Sequence, residues 1–596
     1  ATLATMFIKV TNSGGRRYAQ LVESYRNEAG QPRQRTLATL GRLEPGGDVE
    51  RLIDALGRAQ GRDNAVGGST RITGLRFLEA RAAGDVWALW QLWSALDLEG
   101  LALAWRRSRT ELDVLACLRA MVFNRLCDPA SKLGVLRWLD TVALPHGFGF
   151  DAGLPEHQHL LRAMDVIDDH AEAINQRLAV LMRPLIDQEL SVVFYDLTTV
   201  KVHGETLVDG DVRDFGKSKD GGVARQFVLS LVQTADGLPI AHGVHPGNTA
   251  EAKTLLPMIR SLLERWPLKR VVLVADRGLL SLNNLQELAQ LQAALDAAGR
   301  GVRLEYVLAV PAARYGEFKA ELQSLDAAHD TAAAWVDEMR WITGDEKDPA
   351  DPPREHRLVV AHDPVVAQRR SHARREQMRE LIALGQQWGG RLDDQDAGQR
   401  RRGRPLSDSG AKARLYHAVK DANLAHLIKV DLHSELFQFT VDEERLQYLE
   451  RLDGKLLLVT NTDAPAEEVV QRYKSLADIE RGFRALKSEI EIGPVYHRLP
   501  RRIRAHALVC FLALILHRVL RMRLKASNRQ ESPGRLLEQL RRIQHQTAQT
   551  GDGQLLRGLT ELGAAQKELF AAIGLPIPTP DGVVPSNSGT AASVSL

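Results

Sequence analysis

Three acidic residues lie at positions where carboxylates can bind a divalent cation. Asp196 follows the apolar segment VVFY and Asp276 follows VVLVA, so each aspartate ends a predicted buried strand. Glu480 lies in a predicted helix, within YKSLADIERGFRALK. Carboxylate oxygens are the ligands that Mg²⁺ prefers, and two such ions can activate a hydroxyl and stabilise the leaving oxygen in phosphoryl transfer. We therefore expect a metal-dependent phosphoryl-transfer site; capping aspartates and a solvated glutamate are the alternatives.

The predicted helix 466–489 carries Tyr473, Glu480 and Lys487 at intervals of seven residues. That spacing places the three side chains on one helical face. A second face is apolar and predicts packing against a core. It comprises Ile479, Phe483, Leu486 and Ile490.

The elements that must position the two aspartates alternate in type between residues 191 and 310. Three predicted strands are followed by a helix, a strand ending at Asp276, a second helix and a further strand. This order is typical of a ribonuclease-H-like α/β core. Because α/β sheets form their sites at the carboxyl ends of strands, we expect Asp196 and Asp276 to lie close together.

Other domains are predicted around this core, because 596 residues exceed the size of a single hydrophobic core. A small β sheet begins the chain, an all-helical module precedes the core, and a β-containing insertion interrupts it. The predicted boundaries are 1–75 for a β-rich DNA-binding or dimerisation region, 76–188 for the helical domain, 189–310 for the first part of the core, 311–465 for the insertion, 466–525 for the second part of the core with the glutamate helix, 526–573 for a C-terminal helical region, and 574–596 for a disordered tail.

Composition excludes several classes of protein. The three cysteines form no CxxC pair, which argues against a disulfide scaffold or a zinc ribbon and suits a reducing cytoplasm. The longest apolar run, residues 507–516, is too short to span a membrane, so no membrane partner is expected. Since the net charge is only +3, a nucleic-acid surface requires local clusters of basic residues.

Two such basic clusters are present. Residues 498–525 carry eight arginines or lysines and no acid, which predicts phosphate contacts by Arg501, Arg502 and Arg504. The glycine-bounded loop FGKSKDG carries Lys217 and Lys219, for which DNA contact and a simple hairpin loop are both open.

Several motifs together resemble the DDE transposases of bacterial insertion sequences, in the hairpin-forming class with the signature Y-x2-R-x3-E-x6-K. Tyr473, Glu480 and Lys487 match the signature, FYDLTTV supplies Asp196, and ADRGLLS supplies Asp276. Further similarity lies in FGKSKDG, HPGNTAEAKTL, DGKLLLVTNT, VYHRLPRRIRAH and the N-terminal RRYAQLVESYRNEAGQPRQRTLATLGR. The resemblance extends from about residue 6 to residue 525.

This resemblance implies a ribonuclease-H-like core that holds Mg²⁺ or Mn²⁺ at Asp196, Asp276 and Glu480. It implies binding of double-stranded DNA, namely terminal inverted repeats and target DNA, by a homodimer in a synaptic complex. Cut-and-paste movement would pass through hairpin ends, in the bacterial cytoplasm at the nucleoid. In this class the tyrosine and lysine of the signature contact phosphates, which assigns that role to Tyr473 and Lys487.

One position departs from the signature, because Leu476 stands where the class has an arginine. Arg481 or Arg484 could supply the missing phosphate contact, and Arg277 could support the site or a phosphate. Two other enzyme and non-enzyme interpretations stay open: a nuclease that only cuts, and a catalytically silent DNA-binding protein derived from a transposase. Intact acids at all three positions argue against the silent protein.

Overall fold

The computed structural model describes residues 5–13, 16–26, 32–43, 49, 75–106, 112–150, 153–186, 191–204, 210–219, 221–275, 282–343, 354–399 and 405–585. Helices and several sheets make it a mixed α/β structure. Its described residues fall into two compact units, one from Ala1–Arg76 and Ala548–Leu556, the other from Phe77–Thr547 and Arg557–Leu596.

The first unit contains the small antiparallel sheet predicted at the start of the chain. Its strands pair in the order β1-β2-β3, with Ala19 and Val22 of the middle strand buried. The bounds are Thr5–Ser13 for β1, Arg16–Arg26 for β2 and Pro32–Arg42 for β3.

A helical region follows, built on an apolar core that includes Trp93, Phe123 and Phe148. The prediction of an all-helical module at 76–188 is corrected, because two short strands also lie in this range. Asp113 caps its second α-helix by accepting a hydrogen bond from the backbone nitrogen of Ala116, at 2.8 Å. The bounds are Arg76–Ala82 for β4, Gly84–Ala95 for α1, Leu98–Trp105 for a 3₁₀ helix, Val114–Cys127 for α2, Lys132–Leu139 for α3, Ala143–Pro145 for β5, His157–Asp169 for α4, Ala171–Met182 for α5 and Arg183–Leu185 for a second 3₁₀ helix.

The predicted alternation of strands and helices is present after residue 190. The first helix of this range begins at Ala252 with Glu251 as its N-cap, after a turn in which the backbone nitrogen of Thr249 donates to the carbonyl of Pro246. The bounds are Ser191–Lys201 for β6, Asp214–Lys217 for β7, Val223–Thr234 for β8, Pro239–Pro246 for β9, Ala252–Arg265 for α6, Arg270–Ala275 for β10, Leu282–Ala297 for α7 and Arg303–Ala309 for β11.

The range in which the insertion was predicted also contains strands. A long charged helix in this range begins at Pro364 and ends at Asp396. The bounds are Ala312–Phe318 for a 3₁₀ helix, Lys319–Ala328 for α8, Trp335–Thr343 for β12, Arg354–His362 for β13, Pro364–Asp396 for α9, Asp408–Asp421 for α10, Ile428–Val430 for β14, Phe439–Val441 for β15, Glu443–Leu452 for α11 and Lys455–Thr460 for β16.

One nine-stranded sheet joins the two ranges. Its order is β12-β13-β16-β11-β10-β6-β8-β7, and β9 also pairs with β8. Strand β10 is parallel to both β6 and β11, whereas β8 is antiparallel to β6. Three strands from the predicted insertion thus extend the sheet that carries Asp196, because their apolar residues are buried in the same core as those of β11.

The C-terminal part of the chain consists mainly of helices, but two strands lie in the range 526–573 that was predicted to be helical, so that prediction is corrected. The predicted helix 466–489 is divided at Ser475, whose hydroxyl donates to the carbonyl of Gln471 at 3.0 Å. Serine hydroxyls that bond back to the preceding turn often bend helices. The bounds are Ala466–Lys474 for α12, Leu476–Ser488 for α13, Pro500–Ala526 for α14, Pro533–Leu540 for α15, Gln544–Gln549 for β17, Leu555–Leu559 for β18, Ala564–Ala572 for α16, Pro580–Gly582 for a 3₁₀ helix and Val583–Pro585 for β19.

Helix α14 is the apolar axis of the second unit. Among the described residues it is the one helix that could cross a membrane by length and composition, with a mean hydropathy of 1.8 over its most apolar window. The predicted apolar run 507–516 is therefore part of a longer helix than the sequence pattern suggested. Since 94% of that window is buried inside the protein, the helix packs as a core helix does. That the protein has no membrane partner stays a prediction.

The beginning of the predicted disordered tail is ordered. Strand β19 pairs with β5, with Val583 opposite Pro145. The side chains of Leu575 and Val583 are buried, which gives this segment the apolar contacts that a disordered tail lacks. Residues beyond 585 lie outside the described part of the chain.

Candidate active site

Asp196 lies near the middle of β6, next to the parallel strand β10. The prediction that it ends its strand is corrected, because β6 continues to Lys201 through its pairing with β8. Its carboxylate is partly exposed, at 18%, and its Oδ1 accepts a hydrogen bond from the backbone nitrogen of Leu197 at 2.7 Å. A partly solvated carboxylate on a central strand is available to a cation, because its oxygens are not consumed by the sheet ladder.

The register of β6 and β10 bears on the second predicted aspartate. Ala275, the last residue of β10, pairs with Tyr195. Asp276 follows Ala275 in the sequence as Asp196 follows Tyr195. Asp276 itself lies outside the described residues.

Lys219 brings a positive charge to Asp196. Its Nζ lies 3.6 Å from Oδ1 of Asp196 and 3.3 Å from Oε1 of Glu251. The same ammonium donates to the carbonyl of Leu197 at 2.6 Å, and the backbone nitrogen of Lys219 donates to Oγ1 of Thr199 at 3.0 Å. Lys219 therefore links two carboxylates that belong to different elements of the fold.

Close backbone contacts position the loop that carries Lys219. A Cβ on Gly216 would lie 2.2 Å from the carbonyl oxygen of Gly247, so the two chain segments touch where side chains are absent. The buried amide of Gln226 donates to the carbonyls of Gly247 and Lys217, at 3.0 and 3.3 Å. Lys217 itself is exposed.

The helix that carries Glu480 crosses the sheet face on which Asp196 lies. Strands β6 and β8 pair with Phe194 opposite Gln233, so Gln233 shares a face with Phe194 and with Asp196, two residues further along β6. Gly482 of α13 packs against this face, since a Cβ there would lie 2.6 Å from Nε2 of Gln233. Glu480 lies in α13, and its side chain is outside the described residues.

Lys487 lines a cavity of about 530 Å³ at the end of α13. Lys201, His203 and Arg225 also line it, so four basic side chains face one space. The ring of His203 stacks on that of Tyr496, with centroids 4.7 Å apart. A basic cavity of this kind suits a phosphate group.

The chain shares two regions with known protein families. Residues 187–516 match the model of the transposase DDE domain, which covers more than half of the 596 residues. The chain belongs to the DDE transposase family. Residues 8–67 match the N-terminal domain of IS1634 family transposases, whereas no curated protein matches the chain. The protein is therefore an insertion-sequence transposase, an enzyme whose substrate is DNA.

Transposases of this family generally use a divalent metal ion. The carboxylate of Asp196 offers the hard oxygen donor that such ions require. Within the described residues no three His, Cys, Asp or Glu side chains lie together as a metal-binding group. Asp276 and the side chain of Glu480, which would complete the set, lie outside them. Of the three predicted ligands, Asp196 is the one whose surroundings are described, and its carboxylate is compatible with a bound divalent ion.

Tyr473 and Leu476 lie at the bend between α12 and α13. Leu476 is buried at 7% exposure, in an apolar cluster that Phe194 joins and against which Tyr473 packs. The expectation that Tyr473, Glu480 and Lys487 share one face of one helix is therefore corrected, because α12 ends before Ser475. Only Glu480 and Lys487, both on α13, keep the seven-residue spacing within a single helix.

The arginines predicted to form a phosphate footprint on α14 are ion-paired within the transposase. Arg501 and Arg502 bind Asp165 at 3.0 and 2.8 Å, and Arg504 binds Asp168 at 2.7 Å. Both aspartates belong to α4, so these pairs hold α14 against the helical region. A role of the three arginines in DNA binding stays a prediction.

Of the remaining residues predicted to contact DNA, the structure describes some and not others. Arg484 is exposed on α13, as a DNA contact requires. The side chain of Arg481 and all of Arg277 lie outside the described residues.

Glu251 is the residue that sequence reasoning missed at this site. Its carboxylate shares Lys219 with Asp196, although no local pattern singled it out as a site residue. The motif HPGNTAEAKTL, which contains Glu251, was the available signal. Pairing with a loop about thirty residues earlier in the chain is a tertiary contact that no local pattern predicts.

Proposed function

We propose that this insertion-sequence transposase cleaves and joins DNA at a Mg²⁺ site formed by Asp196, Asp276 and Glu480, with Mn²⁺ as a substitute. The observation that carries the proposal is the juxtaposition of three elements at one point of the sheet. Ala275 pairs with Tyr195, and α13 packs through Gly482 on the face that carries Asp196. The parallel β6 and β10, the antiparallel β8 and the covering helix support a ribonuclease-H-like core.

The chemistry divides between the metal and the protein. A bound divalent ion supplies Lewis acidity, which activates the attacking hydroxyl and stabilises the leaving oxygen. Asp196 is oriented for this role by the hydrogen bond from the backbone of Leu197. Lys219 offsets the negative charge of Asp196 and Glu251 before a cation binds. That contact favours a role for Lys219 at the acidic site, while the exposed Lys217 stays a candidate for DNA contact.

DNA positioning is proposed for the basic residues around α13. The cavity shared by Lys487, Lys201, His203 and Arg225 supports phosphate binding by the signature lysine. Tyr473, Arg481, Arg484 and Arg277 are proposed as further contacts, together with the ion-paired Arg501, Arg502 and Arg504. Because Leu476 is buried, the contact that an arginine would make there must come from another side chain.

The finer steps rest on the resemblance of the sequence to the hairpin-forming class. We propose cut-and-paste movement in which the freed 3′-hydroxyl attacks the opposite strand and forms a hairpin end. A homodimer bound to the terminal inverted repeats, acting in the bacterial cytoplasm, completes this proposal.

The direct test uses linear DNA with candidate element ends, incubated with the protein in Mg²⁺, Ca²⁺ or EDTA. Hairpin-capped ends in Mg²⁺ alone are the expected result, and Asp196→Asn abolishes them. Asp236→Asn is the matched control, because Asp236 lies exposed in the turn between β8 and β9. Its products are expected to equal those of the wild type.

Other outcomes would reject parts of the proposal. Nicks without hairpins in Mg²⁺ contradict the hairpin pathway, and cleavage without strand transfer identifies a nuclease. Activity in EDTA contradicts metal dependence. End binding without any product in Mg²⁺ or Mn²⁺ identifies a silent DNA-binding protein.

A further inference from the structure

A second basic cavity, of about 760 Å³, lies beyond the segment that follows α13. The end of α2, the start of α3 and residues 491–499 line it, and the exposed side chains of Leu133 and Tyr496 show that it opens to solvent. We name it the cationic cavity after the residues Arg125, Lys132, His497, Arg498, Arg502 and His506 in its lining.

Lys132 is a buried lysine that has no carboxylate partner among the residues the structure describes. The residue is 5% exposed, and its Nζ hydrogen-bonds to Nδ1 of His506 at 3.4 Å. Nε2 of His506 lies 2.9 Å from the carbonyl oxygen of Ile492, so Nε2 carries the proton and Nδ1 accepts from Lys132. The partner of Lys132 is therefore neutral. A buried charge without compensation is costly, unless a ligand of opposite sign is bound.

Arg125 adds a second uncompensated charge. It is also 5% exposed, and its Nη1 donates to the carbonyls of Ile490 and Glu491 at 3.4 and 3.1 Å. Its buried Nε has no hydrogen-bond partner within the described residues. The ion pairs found among those residues include neither Arg125 nor Lys132.

The pKa values of two groups in the cavity are lowered, chiefly by burial and additionally by neighbouring positive charges. Burial and the charge of Arg125 lower the pKa of Lys132 to about 7. Burial, with Lys132, Arg502 and Arg125, lowers the pKa of His497 to about 3. Arg502 differs from these groups because Asp165 compensates it.

We infer that the cationic cavity binds a phosphate group of the DNA backbone, through Lys132 and Arg125 of its lining. Phosphate offers the charge and the several acceptor oxygens that both groups lack. Gly493 and Pro494 line both this cavity and the one that contains Lys487, so the two phosphate sites would be neighbours. DNA is the assigned source because the protein is a transposase. The inference rests on DNA binding and is independent of the metal and the hairpin pathway.

The first test measures anion binding without DNA or metal. Inorganic phosphate and sulfate are titrated into the full-length protein by calorimetry, against chloride at equal ionic strength. We expect saturable binding that falls at least tenfold in Lys132→Met and is unchanged in Lys420→Met. Lys420 is the control because it is an exposed lysine on α10.

Thermal unfolding of the same variants separates a ligand site from a structural role. If the ammonium serves a ligand, Lys132→Met raises the melting temperature of the free protein and reduces the rise caused by phosphate. A structural ammonium predicts a lower melting temperature with unchanged phosphate binding, and that result overturns the inference. Phosphate should also raise the melting temperature of the wild-type protein, a test that does not depend on any variant. If phosphate leaves that temperature unchanged, the inference is overturned.

The second test assigns the source of the phosphate. Binding of an element-end duplex is measured across salt concentrations in Ca²⁺-free buffer. Loss of one phosphate contact should reduce the slope of log K against log salt by about one unit in Lys132→Met. An unchanged slope, with phosphate binding lost, identifies a free anion as the ligand and overturns the assignment to DNA.

Discussion

Two lysines of this transposase meet opposite electrostatic surroundings. The ammonium of Lys219 lies 3.6 and 3.3 Å from the carboxylates of Asp196 and Glu251. Among the described residues, the ammonium of Lys132 hydrogen-bonds to the neutral imidazole of His506 and pairs with no carboxylate. Both are held by tertiary contacts, yet within the described part of the chain two carboxylates compensate Lys219 and none compensates Lys132.

This difference indicates whether each region would bind a positively or a negatively charged ligand. At Asp196 the protein supplies excess negative charge and holds it with a replaceable, partly exposed ammonium, which suits a cation. In the cationic cavity the protein supplies excess positive charge in a buried setting, which suits an anion. An enzyme that transfers phosphoryl groups of DNA needs both kinds of region, because it must bind metal cations and DNA phosphates at the same time.

The largest expected effect tests the acidic region. Asp196→Asn keeps the shape of the side chain and removes its charge, and should lower strand cleavage by at least about a thousandfold, or about 4 kcal/mol of transition-state stabilisation. Single-turnover cleavage in Mg²⁺ measures it. Retention of more than a tenth of the activity would contradict a role of Asp196 as a metal ligand.

A pH titration tests the cationic cavity. Since the pKa of Lys132 is lowered to about 7, the lysine loses its charge in the free protein as the pH rises through that value. Sulfate affinity should therefore fall about tenfold between pH 6 and pH 8. In Lys132→Met, the part of this pH dependence that is due to Lys132 should disappear. Any part due to the other charged or titratable groups of the cavity should remain. These groups are Arg125, Arg498, Arg502, His157, His497, His506 and Glu491.

The same shift predicts a pH-dependent stability. Below about pH 7 the lysine is charged in both states, so its burial cost is fully present. Between about pH 7 and its ordinary value of 10.5, the unfolded chain binds the extra proton, and stability rises with pH. Lys132→Met should therefore have a higher free energy of unfolding than the wild type at low pH, and this difference should become smaller as the pH rises across that range. Denaturant titrations measure it. A constant difference would contradict the buried charge.

Gly482→Ala tests how closely α13 must approach the sheet. The added Cβ would meet the fully buried amide of Gln233 at 2.6 Å, so we expect a loss of about 1–3 kcal/mol of stability and about tenfold in cleavage. Gln233→Ala in the same chain should restore part of the activity. Gly390→Ala is the control, because a Cβ on that helical glycine meets nothing within 4 Å.

The smallest expected effect concerns the compensating lysine. Removing the charge in Lys219→Met should strengthen Ca²⁺ binding about two- to fivefold, because a competing cation is lost from Asp196 and Glu251. The effect is modest since Lys219 is 40% exposed and screened by solvent. Calorimetric titration measures it, with Lys217→Met as the exposed control on the same loop. Weaker Ca²⁺ binding in Lys219→Met would show that the lysine supports the site instead of competing for it.

Local patterns predicted most elements of the core. The apolar segments before Asp196 and Asp276 are strands, and Glu480 lies in a helix, as their periodicity indicates. The bend at Ser475 was not predicted, because a hydroxyl bonded to the preceding turn leaves the apolar periodicity unchanged.

Contacts between distant segments were beyond the sequence patterns. Arg501 looked like a phosphate contact because its neighbours are basic, but Asp165, more than three hundred residues earlier, pairs with it. The burial of Lys132 was not predicted, because nothing in the local sequence distinguishes a buried lysine at the start of a short helix from a solvated one.

The amino-acid sequence by itself determined the types of the chemical groups and the elements that carry them, because strand and helix periodicities depend on neighbouring residues. It also determined the family, through motifs of fixed local spacing. Only the tertiary structure decided which charges meet. The partners of Lys219, the burial of Lys132 and the packing of Gly482 on Gln233 depend on chain segments that come together only when the core closes.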